Sequence, residues 1–356
     1  MIEKLYELGL SEAVKEEYYK TNENCNLGRV IAEYKGLYKV ATEDSDILAK
    51  VTGNFIKMAF NTSDFPAVGD WVIVDRTSNN TGDGIISKVL PRRSCVSRKV
   101  AGNRTDEQII ASNIDTLFLC MSVNNDFNLR RLERYITIGW NSGATPVIIL
   151  TKVDLSEDID LIKNEIEGIA IGIDILYVSS LTGEGVKGIE KYLRIGKTIA
   201  FIGSSGVGKS TLINYLLGEE KMIVKSIRNN DHKGKHTTTH RELIVIKDKG
   251  IVIDTPGMRE IQLLDDTEGI DSSFKDILDV AKECKFNDCK HVKEPGCAVR
   301  AAINSGSISI DRLDSYNKLI KEAQYIERKN NIKSHLEYKK NMMKLFKEAK
   351  NMKNKP

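Results

Sequence analysis

The chain has no long run of uncharged apolar residues. A helix that crosses a bilayer needs roughly 18 or more in succession, so no transmembrane helix is expected. No secretory leader is expected either. Met1 to Tyr19 is acidic and its apolar residues are interrupted, unlike a basic start followed by an apolar stretch. The expected location is cytoplasmic, with no membrane partner. Aromatic rings are few, 6% of 356 residues, and only two are Trp and nine Phe beside twelve Tyr. Base stacking is therefore not expected to dominate any nucleic-acid contact. Of six cysteines, three crowd into Cys284–Cys297 while Cys25, Cys95 and Cys120 stand apart. A disulfide framework would spread paired cysteines through a small secreted domain, so this pattern argues against one. The three solitary cysteines read as small buried hydrophobes. No internal repeat is found.

What is present supports a multidomain globular protein. An apolar fraction of 41% is enough for large cores, and the length suits two or three domains. The net charge of +3 is unevenly placed: from Lys318 to Pro356 there are eleven Lys and one Arg against four Glu. A basic tail on a mildly acidic body suggests a polyanionic partner, the alternative being a solvated helix face.

Residues 26–100 read as five short strands, Gly28–Tyr34, Tyr38–Val40, Ile47–Val51, Asp70–Val74 and Gly84–Val89, separated by Gly, Asn, Asp and Pro. Five such strands suggest a small closed barrel of the OB-fold type. A loop carrying Arg92, Arg93, Arg98, Lys99 and Arg104 is expected to follow. From Asn113 strands and helices alternate: strands Asp115–Ser122, Pro146–Leu150, Ile175–Ser179 and Thr198–Ile202, with helices Leu129–Trp140, Asp158–Glu167, Gly185–Leu193 and Lys209–Leu217. Leu243–Ile246 and Gly250–Ile253 form a hairpin-like pair. This is the pattern of a doubly wound α/β domain. Beyond Asp271 the chain turns helical and polar. The expected domains are 1–105, 106–270 and 271–356.

Gly203, Ser204, Ser205, Gly206, Val207, Gly208, Lys209, Ser210 and Thr211 fit the P-loop pattern between an apolar strand and a helix. The glycines let backbone N–H groups face phosphates, and the helix start adds a positive dipole end. Lys209 is placed to reach the β- and γ-phosphates, and Ser210 to ligate Mg²⁺. Asp254-Thr-Pro-Gly257 ends a later strand: Asp254 can hold Mg²⁺ through water, and Gly257 can offer its N–H to a γ-phosphate. Thr151, Lys152 and Asp154 end an earlier one. A carboxylate there accepts both the N1 and 2-amino hydrogens of guanine, a donor pair adenine lacks, while the Lys stem covers the base. Ser179 and Ser180 match the loop that backs the guanine O6. Between Lys225 and Arg241 lies a long polar segment containing His236 and Thr237 to Thr239. Thr238 is the favoured Mg²⁺ ligand, with its two neighbours remaining open.

The order of these motifs is permuted. Usual GTPases run P-loop, switch threonine, Asp-x-x-Gly, base-reading motif and Ser-rich loop. Here the last two come first. Downstream, Cys284-x4-Cys289-x-His291-x5-Cys297 offers three thiolates and an imidazole, a set suited to one tetrahedral Zn²⁺ in a closed structural site.

With these segments in hand, the chain closely resembles the bacterial ribosome-small-subunit-dependent GTPases, the RsgA (YjeQ/YloQ) family. Glu294-Pro-Gly-Cys-Ala-Val299 adds to the likeness, which covers nearly the whole chain. The resemblance implies an OB-fold barrel, a circularly permuted P-loop GTPase domain and a C-terminal helical zinc-binding domain. It implies GTP and GDP as ligands, the small ribosomal subunit and its rRNA as partner, a role in late maturation of that subunit, and hydrolysis stimulated by it. A monomer is expected. The family's base-reading motif often begins with Asn, where this chain has Thr151. Many GTPases place a water-orienting Gln after Asp-x-x-Gly; here that position is Met258, which cannot serve. His236 is the catalytic candidate with Lys209 and Thr238, and the resemblance supports it, the other reading being a loop histidine. Two rivals stand beside a GTPase: an RNA-binding scaffold holding GTP as a structural ligand, and an ATPase, against which Lys152 and Asp154 argue.

Overall fold

A computed structural model describes residues 3–21, 25–80, 82–99, 107–124, 126–156, 158–218, 241–254 and 268–328. It divides into two compact units, Met1–Val100 with Asp106–Gln262, and Ala101–Thr105 with Leu263–Pro356.

The first unit opens with two short helices, α1 (Glu3–Glu7) and α2 (Glu12–Tyr19), followed by β1 (Asn26–Tyr34), β2 (Leu37–Thr42) and β3 (Asp46–Val51). Helix α3 (Gly53–Met58) leads to β4 (Trp71–Val74) and β5 (Gly84–Val89). The strands pair in the order β1-β2-β3-β5-β4, and β4 returns to β1, closing a five-stranded barrel. Period-two alternation fills it: in β3, Ile47 and Ala49 point inward while Asp46, Leu48 and Lys50 face out. They meet Val30, Tyr38, Val40, Val72, Val74 and Ile86 in the barrel core.

The basic loop expected after β5 is instead largely a hairpin of β6 (Cys95–Lys99) and β7 (Glu107–Ser112). Val96 is the one large aliphatic in β6 and is buried, which leaves too little alternation to betray a strand. Arg92 is not a free surface cation. Its guanidinium binds both carboxylate oxygens of Asp70 at 2.7 and 2.8 Å and the carbonyls of Ser63 and Phe65. Asp70 is fully buried, and an unpaired carboxylate there would be costly.

The second half of the unit is β8 (Thr116–Ser122), α4 (Leu129–Asn141), β9 (Thr145–Thr151), α5 (Ile159–Glu167), β10 (Asp174–Val178), α6 (Lys187–Glu190), β11 (Thr198–Gly203), α7 (Lys209–Leu217), β12 (Glu242–Ile246) and β13 (Gly250–Asp254). Strands run β10-β9-β8-β11-β13-β12 across the sheet. All neighbours are parallel except β12, which turns back on β13. Every residue of β8 and β11 is buried, as a parallel sheet covered on both faces requires. Phe118, Cys120, Phe201, Val207 and Leu212 belong to the core on one face. In α4, Leu132, Tyr135, Ile136 and Gly139 recur at helical spacing and are buried.

Barrel and sheet are joined in one eleven-stranded sheet, because β1 pairs with β12 at Ala32 and Glu242. Arg29 is the knot at this seam. Only 1% exposed, it donates to the carbonyls of Leu8, of Gly69 at 3.1 Å and of Asn113 at 3.2 Å, and it lies over the Trp71 ring. Burial lowers its pKa to about 10, so it stays charged at neutral pH. Gly69 has φ +97°, and a Cβ there would fall 2.2 Å from the Ser112 carbonyl; only glycine lets the barrel approach so closely.

The second unit carries α8 (Glu268–Ser273), α9 (Lys275–Ala281), α10 (Ala298–Asn304) and a helical stretch over 310–328. Arg312 grips the Asp276 carboxylate at 2.7 and 2.8 Å, donates to the Ser273 carbonyl and stacks on Phe274.

Replacing Arg29 would orphan three carbonyls. Each buried unsatisfied group costs roughly 1–3 kcal/mol, so Arg29→Ala is expected to destabilise the first unit by roughly 3 kcal/mol or more. Arg29→Lys should not restore it, because an ammonium cannot span three divergent acceptors. Urea unfolding followed by Trp fluorescence checks both, and an unchanged midpoint in Arg29→Ala would refute the role.

Candidate functional site

Five parallel strands, β10, β9, β8, β11 and β13, end at one edge of the sheet. The segments read as nucleotide-binding leave from that edge: Thr151–Asp154 after β9, Ser179 and Ser180 after β10, Gly203–Thr211 after β11, and Asp254 as the last residue of β13. In open α/β sheets the crevice beyond the strands' carboxyl ends is where ligands bind.

The phosphate loop has the backbone its glycines permit. Gly206 and Gly208 are left-handed at φ +79° and +105°. At Gly203 a Cβ would lie 2.6 Å from the Cys120 carbonyl, so the end of β11 lies tight on β8. Helix α7 starts at Lys209, and its cap, Gly208, offers no side-chain acceptor, which leaves the first-turn N–H groups, Ser210 and Thr211 among them, for a ligand. The Lys209 ammonium lies 2.6 Å from the Gly203 carbonyl and 2.8 Å from that of Ser204.

Thr151 is buried, and its hydroxyl donates to the Val207 carbonyl at 2.6 Å. It therefore joins the Thr151–Asp154 segment to the glycine-rich loop after β11. Lys152 takes a left-handed conformation, φ +60°, and Asp154 sits in the 3-10 turn Val153–Leu155. The loop after β10 closes on itself: Ser179 is fully buried, its N–H donates to Glu184 O at 3.0 Å, and its hydroxyl accepts from Thr182 N. His236, Thr237 to Thr239 and the rest of the polar segment from Lys225 to residue 240, Gly257, Met258, Arg104 and the tail beyond 328 lie outside the described residues.

Asp126 escaped sequence reasoning. It follows β8 and accepts from Ser204 Oγ at 2.7 Å and from Arg131 at 3.0 Å. Burial alone would raise its pKa, but these two donors hold it below the usual carboxylate range. Only strand order, which sequence does not print, sets this loop beside the phosphate loop.

In the second unit, the sulfurs of Cys284, Cys289 and Cys297 and a ring nitrogen of His291 all lie within 4.8 Å of one another. Cys284 Sγ to His291 Nδ1 is 3.7 Å, Cys284 Sγ to Cys297 Sγ 3.9 Å, and His291 Nδ1 to Cys297 Sγ 3.4 Å. Tetrahedral Zn²⁺, with bonds of about 2.3 Å to sulfur and 2.0–2.1 Å to nitrogen, requires edges of about 3.5–3.8 Å. The donor set fits that ion. Burial works against a Cys284 thiolate, yet the backbone N–H groups of Val299 and Ala298 outweigh it and lower its pKa. The Glu294 carboxylate accepts from the N–H groups of Lys290, Val292 and Lys293. Together with its own N–H, these bring its pKa to about 2 and fix the turn between His291 and Cys297.

Comparison with known proteins finds relatives over most of the chain. Residues 89–264 match the family described as RsgA GTPase, and 198–340 match one described as 50S ribosome-binding GTPase. The chain is 47% identical to the small ribosomal subunit biogenesis GTPase RsgA 2 of Lactiplantibacillus plantarum, over 90% of each protein. It is 45% identical to RsgA 1 of Oceanobacillus iheyensis, over 90% of this chain and 91% of that one. Among solved structures it is similar to YjeQ from Thermotoga maritima, with TM-score 0.62 and 28% identity over 84% of this chain and 99% of that one. It is also similar to YloQ, a circularly permuted GTPase, with TM-score 0.58 and 28% identity over 85% and 96%.

The cysteine cluster yields a metal prediction. Protein purified without chelator should carry one Zn²⁺ per chain by elemental analysis. Cys297→Ser should lose it and loosen the second unit to proteolysis while nucleotide binding survives. Metal-free protein that resists proteolysis equally well would remove the structural role.

Proposed function

This chain belongs to the RsgA GTPase family, and on that premise we propose that its GTP hydrolysis serves the biogenesis of the small ribosomal subunit. GTP lies on Gly203–Thr211. Ser210, Asp254 and a threonine among 237–239, with Thr238 preferred, hold Mg²⁺, which when bound offsets phosphate charge. Lys209 binds the β- and γ-phosphates. Asp154 reads guanine with Lys152 over the base, and Ser179 and Ser180 back the O6. Thr151 aligns base site and phosphate loop through the Val207 carbonyl. His236 orients the attacking water. Cys284, Cys289, His291 and Cys297 hold one Zn²⁺ that shapes the second unit. The functional modules are residues 1–105, 106–270 and 271–356.

The observation that carries the reading is the convergence of four segments, out of the usual chain order, on one edge of a parallel sheet. A scaffold that merely kept GTP would not need a switch. Here the Asp254–Gly257 motif is followed about 30 residues later by the cysteine cluster, so the zinc module is the next element in the chain after the expected γ-phosphate contact. The partner is a polyanion, met by the basic tail beyond Lys318 through phosphate contacts. No helix among the described residues is long and apolar enough to cross a membrane.

The test is co-sedimentation with isolated small and large ribosomal subunits. Binding to the small subunit should be stronger with a GTP analogue than with GDP and should weaken steeply as salt rises. Equal binding in both nucleotide states would contradict the proposal. Asp154→Asn should in turn shift preference from GTP toward xanthine nucleotide, because the hydrogen-bond polarity facing the base is reversed. An unchanged preference would show that Asp154 does not read the base.

A further inference from the structure

Asp126 makes none of the base, magnesium or zinc contacts assigned above, yet it is bonded directly to the phosphate loop. Its carboxylate accepts the Ser204 hydroxyl proton at 2.7 Å. A serine hydroxyl has one proton to donate, so Ser204 spends it toward the β8 side of the loop. The backbone of the same residue has a different partner: the Ser204 carbonyl accepts from Lys209 Nζ at 2.8 Å, beside the Gly203 carbonyl at 2.6 Å. Ser204 thus stands between a fixed carboxylate and the ammonium expected to meet the phosphates.

The support behind Asp126 is well tied. The Ser122 hydroxyl and the Asp126 N–H both donate to Asn124 Oδ1, at 2.8 and 3.2 Å. Phe127 N donates to Asn124 O at 2.8 Å, and Val123 N to Thr151 O at 3.1 Å. Arg131, in the first turn of α4, holds the second carboxylate oxygen. Thr151 in turn holds the Val207 carbonyl. One short loop and its neighbour therefore brace the phosphate loop near both ends, at Ser204 and at Val207. The close approach of Gly203 to Cys120 brings Ser204 within reach.

A bare carboxylate beside a phosphate site would repel the ligand. Here the Arg131 guanidinium at 3.0 Å offsets that charge, and the Ser204 hydroxyl occupies the other carboxylate oxygen, so its position suits a brace. We propose that Asp126 is a positioning residue for nucleotide binding, acting through Ser204 to fix the carbonyls that orient Lys209. This rests on the reading of Gly203–Thr211 as the GTP-binding loop.

Fluorescent GDP and a GTP analogue are titrated into wild type, Ser204→Ala, Asp126→Ala, the double variant and Asp126→Asn, and the thermal midpoint of each nucleotide-free protein is recorded. Ser204→Ala, which leaves the Asp126–Arg131 pair and the Asn124 turn in place, should raise both dissociation constants about tenfold, the loss of one charge-assisted hydrogen bond. Asp126→Ala should do at least as much, and the double variant no more than Asp126→Ala alone. Asp126→Asn keeps an acceptor oxygen and should recover most of the affinity. Affinities unchanged in Ser204→Ala and Asp126→Ala, with or without a lower midpoint, would make Asp126 a purely structural residue and overturn the proposal. Additive losses in the double variant would overturn it too. A wild-type protein that bound neither nucleotide would sink the reading of the loop itself.

Discussion

The parallel pairing of β8 with β11 is the constraint on which the nucleotide site depends. It runs from Thr116 beside Ile199 to Cys120 beside Gly203, and the missing Cβ of Gly203 is what permits its last step. This pairing places the phosphate loop next to the loop after β8 and one strand away from Thr151. A sheet is indifferent to the order in which its strands are synthesised; what matters is which neighbours pair and where their ends lie. The base-reading and Ser-rich loops can therefore precede the phosphate loop by tens of residues and still share its edge.

Permutation has a second consequence. β12, which emerges from the segment containing His236 and Thr238, pairs both with β13 and with barrel strand β1. Arg241, immediately before it, binds Glu33 of the barrel at 3.0 Å and Gln108 of β7 at 3.3 Å. Arg29 and the close approach at Gly69 add rigidity to the same seam. The barrel is thus an extension of the GTPase sheet, anchored where the chain enters β12.

Sequence disclosed the parts whose physics is local. Gly203 to Ser210 is a loop whose composition dictates its backbone. β8 and β11 are apolar but for Thr116, Ser122 and Thr198 and read as buried strands, and Cys284 to Cys297 announces a donor set by spacing alone. The five barrel strands were legible from alternation, and the barrel closes as that reading expected. The features missed are those made by distant segments. Asp126 is 78 residues from Ser204, Arg29 is 84 from Asn113, and Arg92 is 22 from the Asp70 that turns it inward. A basic residue reads as a surface residue until its buried acceptor is known. The β6–β7 hairpin was missed for a different reason, since Arg98 and Lys99 in a five-residue strand mask the alternation that marks strands.

Single-turnover GTP hydrolysis separates a subunit-activated GTPase from a passive GTP-binding scaffold. Purified protein is loaded with GTP, and phosphate release is followed alone, with small ribosomal subunits and with large ones. Slow release alone, marked acceleration by the small subunit, and loss of both in Lys209→Ala are expected. Acceleration by the large subunit only, or by neither, would contradict small-subunit activation.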